Sequence, residues 1–543
     1  EAFTKLGKGD LAKFSYKTAI DLSPKFVEAR VGLGKVFARE SLVEKAEEQF
    51  RLAVKIDPNY EEGYLQLAKL FVEAENPDTA IIFLNKIKAS NKKNSLVREL
   101  LATAYYQQGR HSECLDEFHE LITQNPYYKN RNTQLFSANY LEDISLEQHF
   151  VMAKSFGDSL MPDVKRIYSS WNCELHPKKL RVGIVSGDFY EHVVGRMIHG
   201  LMHELKNLDT EFIAFSTNEV EDSISKSLKK KFSDWIPISH RGGFEESAEV
   251  IHDYAPNILI DLSGHTKFNV LPIFPLRPAP VQISWLGYSG TTGISGMDYK
   301  FADSHVVSPE EEKFYSEQIW RLPNCFLCPI IPSDAGSISS LPALRKGYIL
   351  FGSQNRLEKI NSEVIECWSK ILKSVPKSRL LLKNFGGEHF YIAKKIKEQF
   401  LNNGVELSRL IFEDRSDRSG YFETYRQVDI ALDTFPFTGG VTTTDALWMG
   451  IPVITRAGKG TFISHQGESI LHNAGLSNFI AEDEADYVLK AITCASDLSR
   501  LAEFRLSARE VLSSTPLYDS KRYAINLNGA LKTIWRHYSN SLN

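Results

Sequence analysis

The stretch from Val428 to Pro452 reads VDIALDTFPFTGGVTTTDALWMGIP and contains a strand, a polar turn and a helix, in that order. The apolar run from Val428 to Leu432 predicts a buried strand, and Ala446 to Met449 predicts a helix that the following Gly-Ile-Pro ends. Between them, Gly439 and Gly440 allow a ligand to approach the backbone closely. Such an arrangement predicts an anion site suited to a diphosphate, within a parallel α/β domain.

Three threonines, Thr442, Thr443 and Thr444, stand at the start of this helix, where their hydroxyls add donors to the free backbone amides. Asp445 follows in the first helical turn, where a carboxylate can accept hydrogen bonds from ribose hydroxyls. Ordinary helix capping explains the same residues, because Thr and Asp are favoured at helix N-termini in any case. Both interpretations stay open on this stretch alone.

A second polar turn, Gly352 to Asn355, follows the apolar run from Tyr348 to Phe351 and leads into a predicted helix. Arg356 and Lys359 are three residues apart, so we expect them on one face of that helix. Two cations beside an anion site strengthen the phosphate interpretation, because charge-assisted hydrogen bonds are the strong ones. The alternative is a solvated helix face.

Short apolar runs alternate with amphipathic helical patterns after Lys178, which predicts parallel α/β units. A Ser- and Pro-containing stretch from Pro332 to Leu344 predicts an interdomain linker between two Rossmann-like lobes. Ligands are expected in the cleft at the carboxyl ends of their strands. The predicted strands are Leu180 to Val185, Phe212 to Phe215, Ile258 to Leu262 and Val281 to Trp285 in the first lobe, and Tyr348 to Phe351, Arg379 to Leu382, Arg409 to Phe412, Val428 to Leu432 and Pro452 to Thr455 in the second.

Two polar turns after strands of the first lobe point to the same cleft. The turn from Ser186 to His192 brings His192 near it, where a neutral imidazole acts as a base or orients an acceptor. A single histidine is more often structural, but several polar sites that converge on one crevice favour a function. The predicted cleft-lining residues of the two turns are Asp188, Gly264, His265 and Thr266.

The first 126 residues repeat with the 34-residue period that separates Pro24 from Pro58. Copies that begin at Val27, Glu61 and Ser95 share small residues and aromatic or leucine side chains at positions eight, eleven, twenty and twenty-four. Those positions hold Gly34, Phe37, Ala46 and Phe50, then Ala68, Phe71, Ala80 and Leu84, then Ala102, Tyr105, Cys114 and Phe118. The pattern is that of tetratricopeptide repeats, whose concave groove commonly binds peptides. A structural spacer is the alternative.

Residues Ala12 to Pro24 match the second helix of a fourth repeat, so we expect that repeat to begin before the sequence given. Any native targeting segment would likewise precede the sequence given.

Composition excludes several classes of protein. A net charge of −4 gives no electrostatic footprint of a nucleic-acid binder, and no apolar run approaches the roughly 18 residues of a membrane span. Six scattered cysteines indicate a reducing compartment, so a cytoplasmic location is expected. Cys325 and Cys328 form a close pair but lack further ligands, and no Asp-x-Asp follows a strand, so we predict no metal site.

The chain resembles the O-linked N-acetylglucosamine transferase family, which joins tetratricopeptide repeats to a two-lobed glycosyltransferase of the B type (GT-B). Asp433 to Pro436, the triple threonine and Leu322 to Cys328 are more similar to the plant Spindly branch and its bacterial relatives than to the animal enzyme. The matching segments are Arg181 to His192, Asp261 to Thr266, Arg277 to Gln282, Trp285 to Tyr288, Phe351 to Ile360 and Leu432 to Gly450.

The resemblance implies roles by position. Lys359 matches the lysine that contacts the donor diphosphate, and His192 matches the active-site histidine, a base or an acceptor-positioning group. Thr442, Thr443 and Thr444 cover the phosphate-binding threonines, and Asp445 matches the ribose-binding carboxylate. Arg356 and Tyr421 stand where the animal enzyme has glutamine and histidine, and both changes affect the donor pocket. The animal branch uses UDP-N-acetylglucosamine, whereas the plant Spindly branch uses GDP-fucose.

The predicted fold is α + α/β: a tetratricopeptide superhelix followed by a two-lobed GT-B transferase. The expected domains are repeats at 1–126, a helical linker at 127–178, the first catalytic lobe at 179–345, a nucleotide-sugar lobe at 346–515 and a C-terminal helix at 516–543.

The predicted function is inverting transfer of N-acetylglucosamine from UDP-GlcNAc to Ser or Thr of polypeptides that the repeats recognise. The reaction is expected to need neither metal nor cofactor, because positioned helix amides and Lys359 stabilise the leaving phosphate. The alternatives are a GDP-fucose donor, an Asn acceptor, or a repeat scaffold with an inactive transferase body.

Overall fold

The computed structural model describes residues 3, 9–90, 93–128, 130–206, 208–239, 243–327, 331–383 and 391–542. The chain forms two compact units, Glu1–Ser137 and Ala138–Asn543.

The first unit is a succession of antiparallel helical hairpins. Its helices are α1 (Gly9–Leu22), α2 (Val27–Arg39), α3 (Val43–Ile56), α4 (Glu61–Glu73), α5 (Pro77–Ser90), α6 (Ser95–Gln107), α7 (His111–Gln124) and α8 (Asn132–Ala138), the last of which crosses into the second unit. Helix α2 pairs with α3, α4 with α5, and α6 with α7. These three hairpins begin at the three predicted repeat starts.

Small residues allow the two helices of each hairpin to approach closely. Ala46, Ala80 and Cys114 are completely buried. A Cβ atom added at Gly34 would lie 2.4 Å from the ring of Phe50, well inside van der Waals contact. The predicted tetratricopeptide array is therefore confirmed. Small residues recur with the repeat period because each hairpin needs them where its two helices pack closely.

The second unit begins with α9 (Leu146–Leu160), which Ser145 and Gln148 cap reciprocally. A seven-stranded parallel sheet follows, in the order β3-β2-β1-β4-β5-β6-β7. Its strands are β1 (Leu180–Ser186), β2 (Thr210–Ser216), β3 (Asp234–Pro237), β4 (Ile258–Asp261), β5 (Val281–Ser284), β6 (Tyr299–Ala302) and β7 (Gln318–Arg321). The connecting helices are α10 (Val193–Leu205), α11 (Ser223–Lys229) and α12 (Phe244–Asp253).

A six-stranded parallel sheet forms the second lobe, in the order β10-β9-β8-β11-β12-β13. Its strands are β8 (Leu350–Ser353), β9 (Arg379–Lys383), β10 (Leu410–Glu413), β11 (Ile430–Leu432), β12 (Val453–Arg456) and β13 (Ile480–Ala481). Its helices are α13 (Pro342–Lys346), α14 (Ser362–Ser374), α15 (Tyr391–Asn402), α16 (Arg418–Gln427), α17 (Val441–Trp448), α18 (Phe462–Asn473), α19 (Glu484–Ser496) and α20 (Leu498–Ser513). Two doubly wound parallel sheets confirm the predicted GT-B class.

The last helix, α21 (Ser520–Ser541), returns to the first lobe. Tyr523, Leu527 and Leu531 lie in the same apolar core as β1 and α10. The side chain of Asn528 accepts a 2.6 Å hydrogen bond from Thr210 at the start of β2. The end of the chain therefore closes the first lobe.

All nine predicted strands occur, and four further strands were missed. Strand β3 has the sequence DWIP and is largely accessible, and β13 has two residues. Strands β6 and β7 lie towards one edge of the first sheet. Strands that are short or lie near an edge lack the long apolar run by which a buried parallel strand is recognised.

None of the helices formed by the described residues combines the length and the apolar character that a membrane crossing requires.

Candidate active site

In each lobe, the strand order of the sheet reverses at the strand that comes first in the sequence. Polar residues lie close together at both of these reversal points. Strand β1 lies between β2 and β4, and β8 lies between β9 and β11. Ligands of open α/β sheets bind at the carboxyl ends of the strands at such a reversal. In the second lobe, a small cavity that is open to solvent lies there, lined by Gly352, Ser353, Gln354, Asn355, Tyr425, Ala431, Leu432, Asp433, Thr442, Thr443, Ala446 and Val453.

Asp433, the first residue after β11, organises the turn beside this cavity. One carboxylate oxygen accepts hydrogen bonds from the amides of Gly439 at 2.7 Å and Thr434 at 2.9 Å, and from Asn355 Nδ2 at 3.1 Å. The other oxygen accepts from Thr455 Oγ1 at 2.8 Å. Burial raises the pKa of Asp433, and these donors oppose that shift. The carboxylate thus folds the glycine turn back over the strand end.

The glycine turn leads directly into α17. Gly440 occupies the N-cap position and has no side chain to cap the helix. A Cβ atom at Gly439 would lie 2.7 Å from the Thr442 hydroxyl and 2.6 Å from the Thr443 hydroxyl, so a larger residue would displace both. The first amides of a helix lack partners within the helix, which leaves them free to bind an anion.

The three predicted phosphate-binding threonines have different environments. Thr442 and Thr443 line the cavity, and Thr442 Oγ1 donates to Asn355 Oδ1 at 3.2 Å. The buried Thr444 hydroxyl instead donates to the carbonyl of Val441 at 3.0 Å. Thr444 therefore stabilises the first turn of the helix, and its contact with phosphate stays a prediction.

Lys359 lies beside the same turn. Its Nζ donates to the carbonyl of Thr438 at 2.9 Å and to Asn355 Oδ1 at 3.4 Å, and lies 4.0 Å from the centre of the Phe437 ring. Burial lowers the pKa of Lys359 to about 7, although Asp433 opposes the shift. A ring and a carbonyl replace much of the water around the Lys359 ammonium.

Arg356 does not share a helix face with Lys359. The predicted helix is a single 3-10 turn, Leu357–Lys359, and Arg356 precedes it, half exposed and in an ion pair with Glu358 at 3.3 Å. Asn361 caps α14, accepting from the amide of Val364 at 2.9 Å, so the regular helix starts only after Lys359.

Asp445 is a buried carboxylate whose charge is already balanced. It accepts from Arg418 Nη1 at 3.2 Å and from the hydroxyl of Tyr421. Burial raises its pKa, and Arg418 opposes that shift. The Tyr421 hydroxyl also lies 3.3 Å from that of Tyr425, which lines the cavity. Asp445 and Tyr421 therefore belong to one network beside the cavity.

Gln354 contributes an acceptor that has no partner in the described structure. Its Nε2 donates to the carbonyl of Tyr421 at 3.3 Å, whereas its buried Oε1 makes no hydrogen bond to any described residue. A buried acceptor without a partner is costly, so one at a cavity wall is expected to meet a donor on a ligand.

In the first lobe, the turn after β1 brings Asp188 and His192 together. His192 caps α10: its Nδ1 accepts from the amide of Val194 at 3.3 Å and lies 3.6 Å from Asp188 Oδ1. Asp188 is buried, which raises its pKa, and His192 opposes that shift. A Cβ atom at Gly195 would lie 2.1 Å from the carbonyl of Tyr190, so this tight turn requires glycine. The His192 side chain keeps about 40% of its surface exposed.

Packing and local hydrogen bonds hold the predicted cleft-lining residues of the turn after β4. His265, predicted to line the cleft, is 2% exposed, and its Nε2 donates to the carbonyl of Thr292 at 2.9 Å, between the rings of Phe156 and Tyr288. A Cβ atom at Gly264 would lie 2.3 Å from Tyr288 Cβ. The Thr266 hydroxyl donates to the carbonyl of Ser263 at 2.8 Å. Packing and local turn bonds thus occupy all three predicted residues.

The two lobes meet beside α10. Met197 of this helix belongs to the same buried apolar cluster as Tyr425 and Ala446 of the second lobe. The charge of Arg196 adds to that of Arg418 in opposing the burial-driven rise of the Asp445 pKa. The helix that His192 caps therefore faces the second-lobe network from across the cleft.

Two family models match this chain. The model described as glycosyl transferase family 41 matches residues 164–329 and 339–527, and the tetratricopeptide repeat model matches residues 2–61. The chain belongs to glycosyl transferase family 41. Every site residue described above lies within the matched ranges, so the predicted family is confirmed.

Curated relatives and a solved structure agree with this membership. The chain is 31% identical over 421 residues to the probable UDP-N-acetylglucosamine–peptide N-acetylglucosaminyltransferase SPINDLY of Solanum lycopersicum, covering 75% of this chain and 44% of the relative. It is 24% identical over 487 residues to the UDP-N-acetylglucosamine–peptide N-acetylglucosaminyltransferase of Caenorhabditis elegans, covering 67% and 41%. A mutant O-GlcNAc transferase of Thermobaculum terrenum superposes with a TM-score of 0.86 at 26% identity, over 95% of this chain and 98% of that one. The chain spans less than half the length of the curated relatives.

Among the residues that the structure describes, no group of three or more His, Cys, Asp or Glu side chains is arranged to hold a metal ion. Cys325 is buried, with its Sγ 3.6 Å from Ser469 Oγ, and Cys328 lies outside the described residues.

Sequence reasoning missed several members of this family 41 site. Asn355 and Asp433 each come after a strand at the point where the strand order reverses. Polar residues at such positions indicate a ligand site, so the sequence did contain a signal for both. Arg418 gave no such signal, because it precedes Asp445 by 27 residues and reaches it only through the packing of α16 on α17.

Proposed function

We propose that this chain is an inverting protein O-glycosyltransferase that moves N-acetylglucosamine from UDP-GlcNAc to Ser or Thr hydroxyls of polypeptides. The observation that supports it most is the convergence at the β8–β11 reversal: the Thr442 hydroxyl, at an uncapped helix start, and Lys359 both donate to Asn355, and Thr443 lines the same cavity. This set matches a diphosphate in charge and in hydrogen-bonding capacity. The names of the family 41 relatives support UDP-GlcNAc as the donor.

In this proposal the diphosphate binds between the start of α17 and Lys359. Gln354 Oε1, buried and without a partner among described residues, accepts a hydrogen bond from the nucleoside. Asp445 accepts from the ribose, and Arg418 and Tyr421 hold its carboxylate in place.

The proposed step is a direct displacement at the anomeric carbon. The acceptor oxygen forms a bond to that carbon as the bond to the diphosphate breaks, which inverts the configuration. The electron pair of the broken bond goes to the diphosphate, where helix amides and Lys359 stabilise the developing charge. The hydroxyl proton leaves to a diphosphate oxygen or to water. The positive charge required comes from the chain itself, so the proposed reaction uses neither a metal ion nor a cofactor.

We propose an orienting role for His192, and its hydrogen bonding supports that role. Its Nδ1 accepts the Val194 amide, so the neutral imidazole carries its hydrogen on Nε2. The 3.6 Å separation from Asp188 is too long for the opposite tautomer to be held by a hydrogen bond. His192 therefore donates to an oxygen in the cleft and fixes its position for attack.

The repeats support a polypeptide acceptor, because arrays of this kind present extended binding surfaces. We further propose a cytoplasmic setting. Cys114, Cys173, Cys367 and Cys494 are free thiols, and burial raises the pKa of Cys114 to about 12, which is typical of an unreactive core thiol.

A panel of donor nucleotides tests the proposal. Calorimetric titration with UDP, UDP-GlcNAc, GDP and GDP-fucose is expected to show binding of the uridine compounds and at least tenfold weaker binding of the guanosine compounds. Lys359→Ala should weaken UDP binding by at least tenfold, because a charge-assisted contact contributes about 1.5–3 kcal/mol. Lys370→Ala, on the surface of α14, is the matched control. A preference for GDP-fucose would replace the proposed donor, and no binding of any nucleotide would favour an inactive scaffold.

A further inference from the structure

The segment Asn139-Tyr140-Leu141-Glu142 touches both lobes of the second unit although it precedes both in sequence. Asn139 hydrogen-bonds Tyr288 of the first lobe. Glu142 forms an ion pair with Arg456, at the end of β12 in the second lobe. Between these two anchors, Tyr140 is 5% exposed and reaches the turn that follows β11.

Tyr140 packs against the ring on which Lys359 rests. The rings of Tyr140 and Phe437 have centres 4.7 Å apart and are inclined at 50°. Lys359 Nζ lies 4.0 Å from the centre of the same Phe437 ring and donates to the carbonyl of the next residue, Thr438. One dipeptide thus supplies both the ring and the carbonyl that hold the ammonium.

Hydrogen bonds fix the backbone of this turn, and Tyr140 packs against the Phe437 ring. The carbonyl of Phe437 accepts from Thr434 Oγ1 at 2.7 Å, and the Thr438 hydroxyl donates to the carbonyl of Ile463 at 2.8 Å. The Phe437 side chain is only half-buried, so its orientation depends on what packs against it. Tyr140 is an aromatic neighbour at the distance and inclination that ring pairs favour.

The charged end of the segment is held firmly. Arg456 is 1% exposed, pairs with Glu142 and Glu484, and lies 4.3 Å from the centre of the Phe435 ring. Glu363, in the first turn of α14, donates to the carboxylate of Glu142, which raises the pKa of Glu363 to about 7. Glu142 therefore holds the segment between α14 and the end of β12. This anchor determines where Tyr140 packs against the turn that follows β11.

We propose that Tyr140 is a positioning residue for the donor site, because it orients the Phe437 ring and thereby holds Lys359 where it meets the donor diphosphate. This inference rests on the proposed function, in which Lys359 binds that diphosphate. Tyr140 itself touches neither substrate. The segment thus adds a third element to a donor site otherwise built from strand ends and the start of α17.

A double-mutant cycle on UDP binding tests the inference. Tyr140→Leu removes the aromatic ring but keeps an apolar side chain, and Tyr140→Phe keeps the ring. Each variant, together with Lys359→Ala and the pair Lys359→Ala/Tyr140→Leu, is titrated with UDP by calorimetry. Tyr168→Leu is the matched control, because Tyr168 also stacks on a ring, that of His252 at 4.0 Å, but in the first lobe away from Phe437. Urea unfolding checks that every variant is folded.

We expect Tyr140→Leu to weaken UDP binding about fivefold in the parent chain, the effect of one ring–cation contact, and less than about twofold in the Lys359→Ala background. Tyr140→Phe and Tyr168→Leu should stay within about twofold of the parent. Equal losses in both backgrounds, or no loss in either, would overturn the role of Tyr140 and leave that of Lys359 intact. If Lys359→Ala alone leaves UDP affinity unchanged, the proposed donor site fails as well.

Discussion

Among the described residues, no carboxylate is in direct contact with Lys359, whose ammonium meets a carbonyl, an amide oxygen and an aromatic ring. Burial lowers its pKa to about 7, so much of the free protein carries a neutral amine at pH 8. A bound diphosphate places negative charge beside it and raises that pKa again. We therefore expect UDP binding at pH 8 to be coupled to proton uptake, and UDP affinity to fall as the pH rises from 7 to 9. Calorimetry in buffers of different ionisation enthalpy measures the uptake, which Lys359→Ala should abolish and Lys370→Ala should keep.

Substitution of His192 tests whether donor binding and sugar transfer depend on different residues. The substitution His192→Asn removes the imidazole while keeping a side chain that caps α10, so helix loss does not confuse the result. We expect UDP affinity within about twofold of the parent, because the proposed donor contacts lie on the second lobe. The transfer rate should fall by about 10²-fold or more, the usual range for a positioned proton-carrying group. Weaker UDP binding with an unchanged rate per bound donor would place His192 in the donor site instead.

The sequence showed which types of side chain belong to the candidate site, but it did not show which neighbours surround them. Lys359, His192 and Asp445 were singled out because each follows a strand or begins a helix. The Thr438 carbonyl that holds Lys359 is 79 positions further along the chain, so no local pattern indicates it. A strand end predicts where a residue lies but not whether a neighbour covers it, as Tyr288 covers His265.

At the scale of elements, an ion pair connects the two lobes. It joins the 3-10 helix Pro309–Phe314 of the first lobe to α18 of the second. His465 Nε2 lies 3.7 Å from Glu311 Oε1 across the lobes, and its Nδ1 lies 3.0 Å from Glu468 Oε2. Burial alone would lower the pKa of His465, but the two carboxylates raise it to about 9. The stabilisation is therefore complete below about pH 6.5, the ordinary histidine pKa, and is lost as the pH rises through 9.

Glu311→Gln tests this pair without disturbing the helix cap, because glutamine still accepts from the amide of Ser308. We expect the substitution to lower the free energy of unfolding by about 1.5–3 kcal/mol at pH 7, and by much less at pH 9.5. Glu310→Gln, one residue earlier and exposed, should change stability little at either pH. Urea unfolding at the two pH values measures both. A loss for Glu311→Gln that is equal at both pH values would show that His465 does not provide the charge.

At the scale of the whole molecule, the repeat array and the transferase body are separate units with separate expected tasks. The repeats were predictable as a whole because one 34-residue period fixes where each hairpin needs small residues. The α/β region was predictable as a class, whereas the return of α21 to the first lobe was not, because an amphipathic helix does not reveal which core it covers.

Deleting residues 1–126 tests the task of the repeats. If the repeats hold the acceptor chain, the truncated protein should bind UDP as before and lose transfer to full-length proteins much more than transfer to a short peptide. A groove raises the effective concentration of an acceptor by roughly 10²–10⁴-fold, which a short peptide that engages only the cleft does not gain. Cooperative unfolding confirms that the truncation is folded. Equal losses for protein and peptide acceptors would indicate that the repeats only brace the transferase body.

The most direct test of the central claim is the intact mass of an acceptor protein after incubation with the purified chain and UDP-GlcNAc. The account predicts that the acceptor gains the mass of one or more N-acetylhexosamines, that fragmentation places them on Ser or Thr, and that Lys359→Ala abolishes the gain while Lys370→Ala keeps it. An acceptor of unchanged mass despite UDP binding, a sugar on Asn, or transfer that persists with Lys359→Ala would contradict it.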